Sequence, residues 1–304
     1  MLNKDFLTMQ QLTQKELFDL LDLAAKLKDE RKRGIAHPIL AGKTLGMIFQ
    51  KSSTRTRVSF ETGIYQLGGQ GLFLSANDLQ IGRGEPIEDT ARVLSRYLDG
   101  IMIRTYSHES VEKLAEYASI PVINGLTDYA HPCQVLADLQ TIREYKGGFD
   151  GLKFCFIGDG NNMANSLAVG CLLAGMSFSI ACPKKYAPDA KVLEFAKAYG
   201  DKFTVTESIE EAAKDADVLY TDVWASMGME EEAAQRHRDF AGYQINADLM
   251  KLAHKDAIVQ HCLPAHRGEE ITADVLEAHA KEIFDEAENR LHAQKAVMAT
   301  LMNR

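Results

Sequence analysis

The sequence holds no apolar run approaching the ~18–20 residues that cross a bilayer, although 46% of its 304 residues are hydrophobic. Its five cysteines, Cys133, Cys155, Cys171, Cys182 and Cys262, form no CxxC pair, and five cannot all pair within one chain. That argues against a zinc knuckle and a disulfide framework, and fits a reducing compartment. The N-terminus, Met1-Leu2-Asn3-Lys4-Asp5-Phe6, has neither the basic-then-apolar layout of a signal peptide nor the Arg- and Ser-rich start of a transit peptide. A cytoplasmic location is the expectation. Positive charge is also scarce: a formal charge of −9 opposes nucleic acid and anionic membrane as partners. An anionic substrate would therefore need a locally positive pocket, which turns attention to clustered arginines.

What is present is a regular alternation of short apolar strands and amphipathic helices, in a chain long enough for about two domains. In the first half, strands are expected at Thr44–Phe49, Gly71–Leu74, Gly100–Ile103 and Pro121–Asn124. Helices are expected within 9–33 and over Arg57–Leu67, Ile87–Leu98 and Ser110–Tyr117. A connecting helix, Gln134–Tyr145, runs into Lys146-Gly147-Gly148, a plausible break. A second alternation follows, with strands at Lys153–Ile157, Ser177–Ala181, Val218–Thr221 and Ile258–Gln260 and helices at Met163–Ala174, Ala187–Tyr199 and Ala287–Leu301. Such alternation implies an α/β fold of two tandem domains, each a parallel sheet covered by helices. The expected domains are 1–146, joined by the returning helix 287–304, and 147–286, with the active site in the cleft between them, beyond the carboxyl ends of the strands.

The strongest local signal is Ser53-Thr54-Arg55-Thr56-Arg57, after a strand and opening a helix. Hydroxyls and free N–H groups at a helix N-terminus bind phosphate oxygens, and Arg55 adds bidentate donors. An ordinary N-cap would explain one hydroxyl but not three interleaved with two arginines. Arg104 lies just past the strand Gly100–Ile103, where a solvated surface arginine is the bland alternative. In His131-Pro132-Cys133-Gln134, His131 and Gln134 could aim polar groups at a carbonyl or phosphate, although a lone His before a helix is more often structural.

Gly158-Asp159-Gly160-Asn161-Asn162-Met163 resembles a dinucleotide turn. However, Met163 replaces the third glycine, and Asp159 would face a pyrophosphate. The turn is better read as presenting Asn161 and Asn162 to a small polar ligand, with a merely structural turn as the alternative. Asp222-Val223-Trp224-Ala225-Ser226-Met227-Gly228 contains the only tryptophan. Its Asp222 could hold an ammonium group or accept a proton, or could simply cap a helix. In His261-Cys262-Leu263-Pro264-Ala265-His266-Arg267-Gly268, Cys262 has a more polar setting than Cys155 or Cys171, which read as small core residues. A metal site there lacks a fourth ligand, and a covalent cysteine nucleophile has no partner deducible from spacing.

Taken together, these segments and Phe284–His292 resemble the aspartate/ornithine carbamoyltransferase family nearly end to end. The DxxxSMG loop and the HCLP motif point to its ornithine-specific branch. The resemblance implies transfer of the carbamoyl group of carbamoyl phosphate to the δ-amine of L-ornithine, giving L-citrulline and phosphate, as in arginine biosynthesis. It implies that Ser53, Thr54, Arg55, Thr56, Arg104, His131, Gln134, Arg290 and the backbone at Cys262 and Leu263 hold carbamoyl phosphate. Gln80 would reach a neighbouring subunit's site in a homotrimer. Asn162, Asp222, Ser226 and Met227 would hold ornithine, with Asp222, Cys262, Arg104 and His131 as catalytic groups. The family uses no metal or organic cofactor, so none is expected. The rivals are a sibling enzyme acting on putrescine or an acylated ornithine, an NAD-dependent oxidoreductase, and a binding-only paralogue.

Overall fold

A computed structural model describes residues 3–225 and 231–303. The chain divides into two compact units, Met1–Gln140 with Asn289–Arg304, and Thr141–Glu288. Both divisions fall inside helices, Pro132–Lys146 and Ala280–Met302, rather than at Lys146-Gly147-Gly148 and residue 287. The glycines mark only where the first of these helices stops: Gly147 takes a left-handed φ of 77°, and its N–H closes on Arg143 O at 2.9 Å.

The first unit carries four parallel strands, β1 (Thr44–Phe49), β2 (Gln70–Ser75), β3 (Gly100–Arg104) and β4 (Val122–Leu126), in the order β2-β1-β3-β4. All of β3 and β4, and all of β1 but its first residue, are buried, as continuous apolar runs in a covered parallel sheet should be. The edge strand β2 is largely exposed. Beyond β4, Phe6 adds a parallel bridge to Ile123. Gly46 leaves room for Leu98 over β1: a Cβ there would lie 2.4 Å from a Leu98 methyl, which would have to move aside.

The second unit carries β5 (Lys153–Ile157), β6 (Ser177–Ala181), β7 (Phe203–Thr206), β8 (Val218–Thr221) and β9 (Ile258–His261), parallel in the order β7-β6-β5-β8-β9. Alternation along β5 separates two packing faces. Phe154 and Phe156 join Phe178 and Tyr220 in ring contacts of 5.5–5.8 Å. Cys155 and Ile157 pack with Leu219 and Val259 on the other face. Each buried aromatic contributes about 2–3 kcal/mol by area. Cys155 and Cys171 are fully buried, and the Cys155 thiol is pushed up to about 12 by desolvation.

In each sheet the strand order reverses direction once, between β1 and β3 and between β5 and β8. Such switch points leave a crevice outside the carboxyl ends of the strands, where open α/β sheets bind ligands.

Candidate active site

At the switch point of the first unit, Ser53 caps the helix Thr54–Gln66, its Oγ accepting the Thr56 N–H at 3.2 Å. No acid occupies that helix's first turn, so the positive end of its dipole is left for a ligand anion. Thr56 is buried, and its Oγ1 accepts from Arg290 at 3.0 Å and from Arg104 at 3.5 Å. Arg290 also donates to Gln134 Oε1 at 2.9 Å, and Gln134 in turn donates to Asp138 at 2.8 Å. One hydroxyl thus joins guanidiniums from the end of β3 and from the C-terminal helix.

His131 is buried beside these groups. Desolvation first, then the charges of Arg290, Arg104, Lys51 and Arg55, hold its pKa well below the ordinary histidine value. The imidazole is therefore neutral at pH 7, and it can donate a hydrogen bond without adding a charge. Lys51 is a cation that the sequence reading passed over. It is buried, pairs with Asp128 at 3.4 Å and lies 4.9 Å from the Tyr106 ring centre. Its signal was its place between β1 and Ser53. Arg57, by contrast, is exposed, stacks on Phe73 at 3.8 Å and pairs with Glu61. Thr54 is exposed and Arg55 half-buried at the helix start. Gln80 is exposed in the turn Gln80–Arg83, and among the described residues no hydrogen bond joins its side chain to the cluster.

At the switch point of the second unit, Asn161 caps the helix Asn162–Ala174. Its Oδ1 accepts the N–H groups of Met163 and Ala164, and its Nδ2 donates to Asp222 Oδ2 at 2.9 Å. The other carboxylate oxygen of Asp222 accepts the Val223 N–H at 2.8 Å and the Cys262 thiol at 3.1 Å. Asn161 thus touches Asp222 directly, as one of the two asparagines the turn was expected to present; its half-buried neighbour Asn162 opens the helix. Ser226 and Met227 lie outside the described residues.

Arg236, also missed, is buried, hydrogen-bonds Asp159 and the Trp224 carbonyl, and sits 4.7 Å from the Tyr186 ring centre. Burial pushes Asp159 up to about 6 against the pull of Arg236, with the Asp222 charge adding to the rise. A pyrophosphate finds little room here. The helix N-terminal donors are taken by Asn161, and a Cβ at Gly160 would lie 2.4 Å from the backbone of Ala187 and Pro188. Both features argue against a pyrophosphate at this turn.

Beyond β9, Leu263 takes φ 56°, a left-handed conformation costing a non-glycine residue about 1–2 kcal/mol. It is held by its N–H donating to His261 Nδ1 at 2.9 Å. The opposite ring nitrogen faces Glu270 Oε1 at 3.1 Å, and Glu286 accepts the His261 N–H at 2.9 Å. Cys262 alone among the five cysteines is not buried. Of possible metal ligands among the described residues, His266, Glu269 and Glu270 bring one donor atom each within 4.8 Å of one another. Glu270 Oε1 is already engaged by His261 and by the His266 N–H at 2.6 Å.

The halves of the chain match two family models. The one described as the carbamoyl-P binding domain of aspartate/ornithine carbamoyltransferase covers residues 4–144, and its Asp/Orn binding domain covers 150–301. The ornithine carbamoyltransferase of Oceanobacillus iheyensis is 59% identical over 303 residues, 98% of this chain and 94% of that one. That of Pelobacter propionicus is 58% identical over 301 residues, 98% of each chain. The solved ornithine carbamoyltransferase of Pyrococcus furiosus matches with a TM-score of 0.93 at 52% identity, covering 98% of this chain and 96% of that one. The anabolic enzyme of Campylobacter jejuni matches with a TM-score of 0.93 at 44% identity, covering 98% and 99%.

Proposed function

The chain belongs to the aspartate/ornithine carbamoyltransferase family, and on that premise we propose that it carbamoylates the δ-amine of L-ornithine. The observation that carries this reading is the 59% and 58% identity, over 98% of the chain, to two ornithine carbamoyltransferases. Carbamoyl phosphate and L-ornithine are the substrates, and L-citrulline and phosphate the products.

The phosphate is assigned to Ser53, Thr54, Arg55 and Thr56, where a helix N-terminus and a guanidinium offer N–H donors. Arg104 and neutral His131 face the carbamoyl oxygen. Gln134, Arg290 and the backbone at Cys262 and Leu263 complete the shell. On the acceptor side, Asp222, with Asn161 and Cys262 on its oxygens, receives the ornithine ammonium. Asn162, Ser226 and Met227 hold its other end. An alkylammonium near ~10.4 must lose a proton before it can attack, and Asp222 and Cys262 steer that loss. The free amine then forms the C–N bond, giving a tetrahedral oxyanion stabilised by Arg104 and His131. Collapse breaks the C–O bond, phosphate leaves with the electron pair toward Ser53–Arg55, and the second proton shed by the attacking nitrogen passes to the departing phosphate. Because His131 is neutral, it acts as a hydrogen-bond donor rather than as a proton source.

A homotrimer that lends Gln80 to a neighbouring site is part of the same proposal. Exposed Val58, Tyr65, Leu72 and Phe73, on one helix and the unpaired edge of β2, support self-association. A cytoplasmic biosynthetic role is proposed with it. Among the described residues, no helix is long and apolar enough to cross a membrane.

A colorimetric citrulline assay tests the activity. Product from ornithine and carbamoyl phosphate is expected, with putrescine turned over at least about 100-fold less well, since an unmatched buried polar group discriminates by ~10⁴. Equal use of putrescine would sink the ornithine assignment.

A further inference from the structure

We infer that Glu270 and His261 are positioning residues that set the Cys262–Leu263 turn, and through it the placement of the Cys262 thiol against Asp222. The inference deepens the proposed function and rests on it for what the turn is positioned to do.

The His261 and Glu270 side chains are both fully buried. A backbone N–H can only donate, so the Leu263 N–H at 2.9 Å requires a lone pair on Nδ1 of His261. The ring proton is then on Nε2, where Glu270 Oε1 accepts it at 3.1 Å. The other tautomer would set a donor against the Leu263 N–H and a lone pair against a carboxylate. Glu270 therefore selects the tautomer that the turn needs. The same Oε1 also accepts the His266 N–H at 2.6 Å. One oxygen ties down both ends of the segment that carries Cys262 and the left-handed Leu263.

The frame around this oxygen is itself held. Ile245 donates to the Glu270 carbonyl at 2.9 Å and accepts the Thr272 N–H at 3.0 Å, and Glu286 takes the His261 N–H. The thiol delivered by this frame donates to Asp222 at 3.1 Å. The side-chain hydrogen bonds of Glu270 and the His261 ring go to each other, to Leu263 and to His266 rather than to Asp222, so their effect runs through the turn.

Substitutions separate positioning from bulk stability. Glu270→Gln keeps an amide oxygen for both N–H groups, whereas Glu270→Leu removes it. Asn at 261 keeps an acceptor near the Nδ1 position, whereas Gln keeps a donor near Nε2 but leaves the Leu263 N–H without an acceptor. The readouts are citrulline turnover and the iodoacetamide alkylation rate of Cys262, mapped by peptide mass spectrometry. The four buried cysteines serve as internal controls for unfolding.

E270Q is expected within about threefold of wild type. E270L and H261Q should lose about 100-fold in kcat, the scale of a 1 Å misplacement, while Cys262 alkylates several-fold faster and the buried cysteines stay protected. H261N should fall between them. Unchanged Cys262 alkylation in E270L, or equal losses in H261N and H261Q at equal folded fraction, would overturn the inference. If E270L does not fold, the His261 pair decides. A wild type that makes no citrulline overturns the proposed function instead, and the alkylation arm still tests the positioning.

Discussion

In the first unit the groups gathered beyond β1, β3 and β4 are cations around a neutral histidine; in the second, those beyond β5 and β8 are acids held by asparagine and arginine. Both sites occupy a switch point of a parallel sheet, so topology supplies the place in each. Side-chain charge decides what is bound. Lys51, Arg55, Arg104 and Arg290 all bear on His131, whereas Asp222 lies near enough to Asp159 to raise its pKa. The contrast also answers how a chain of net charge −9 can hold a dianionic substrate: the positive charge is concentrated where the helix dipole adds to it.

The comparison breaks most severely if the cation cluster can be weakened without loss. Arg55→Ala removes a charge that acts on His131 and, in the proposed complex, bidentate phosphate contact. kcat/KM for carbamoyl phosphate should fall about 10³-fold, at the upper end for one lost donor at a charged transition state. Full retention of carbamoyl phosphate affinity would end the assignment of that half. On the acidic side, Asp222→Asn should lower kcat/KM for ornithine by about 100-fold, the low range for losing a proton-transfer group. The KM for carbamoyl phosphate should move little. Trp224, near this site and the only tryptophan, offers a fluorescence titration of ornithine affinity. An Asp222→Asn variant with normal turnover would leave the second unit's site without a role in amine activation.

A smaller effect tests how tightly the first site is wired. Thr56→Val deletes the oxygen that accepts from both Arg290 and Arg104 but keeps the volume. A hydrogen bond to a charged group contributes about 1.5–3 kcal/mol, so a roughly tenfold rise in KM for carbamoyl phosphate is expected, with less change in kcat. A larger fall in kcat than in affinity would place the Thr56 link in the transition state instead.

The sequence made most strands legible as apolar runs, the exposed edge strand β2 among them, and missed what depended on pairing. β1, β3, β5 and β8 stood out as apolar runs because both faces are covered. β7, with burial only at its ends, carried no such pattern and went unread. The short helices Ile209–Ala213, Ala233–Asp239, Ala247–Met250 and Ala273–Ala278 were too brief for periodicity to register. At the site, residues inside a dense motif, such as Thr56 and Cys262, were visible. Glu270 and Arg236 were not, because each sits in a short charged run, Glu269-Glu270 in a loop and Arg236-His237-Arg238-Asp239 in a brief helix, which reads as solvated surface until its burial is known. Asn161 and Asn162 were both legible as the polar pair of the Gly158–Asn162 turn, but which of them caps the helix was not.

The cation excess of the first unit also extends to a residue with no part in the site, and here the expected effect is on stability alone. Lys295 is fully buried in the helix Ala280–Met302, with its Nζ donating to Gln66 at 3.0 Å. Burial, aided by Arg31, pulls its pKa down to about 8 from 10.5. Between those values the unfolded chain holds a proton that the folded chain releases, so stability rises with pH through that window. Below pH 8 the full cost of burying the charge is present, at most about 3 kcal/mol at 1.4 kcal/mol per unit. Lys295→Met removes that cost and the Gln66 hydrogen bond, which contributes about 1–2 kcal/mol. The variant should therefore be about 1–2 kcal/mol more stable in urea at pH 7, with the advantage gone or slightly reversed by pH 10. A variant less stable than wild type at both pH values would mean that the ammonium's hydrogen bond outweighs its desolvation. The buried lysine would then belong with Arg104 and Arg290, as a cation the fold has satisfied rather than merely tolerated.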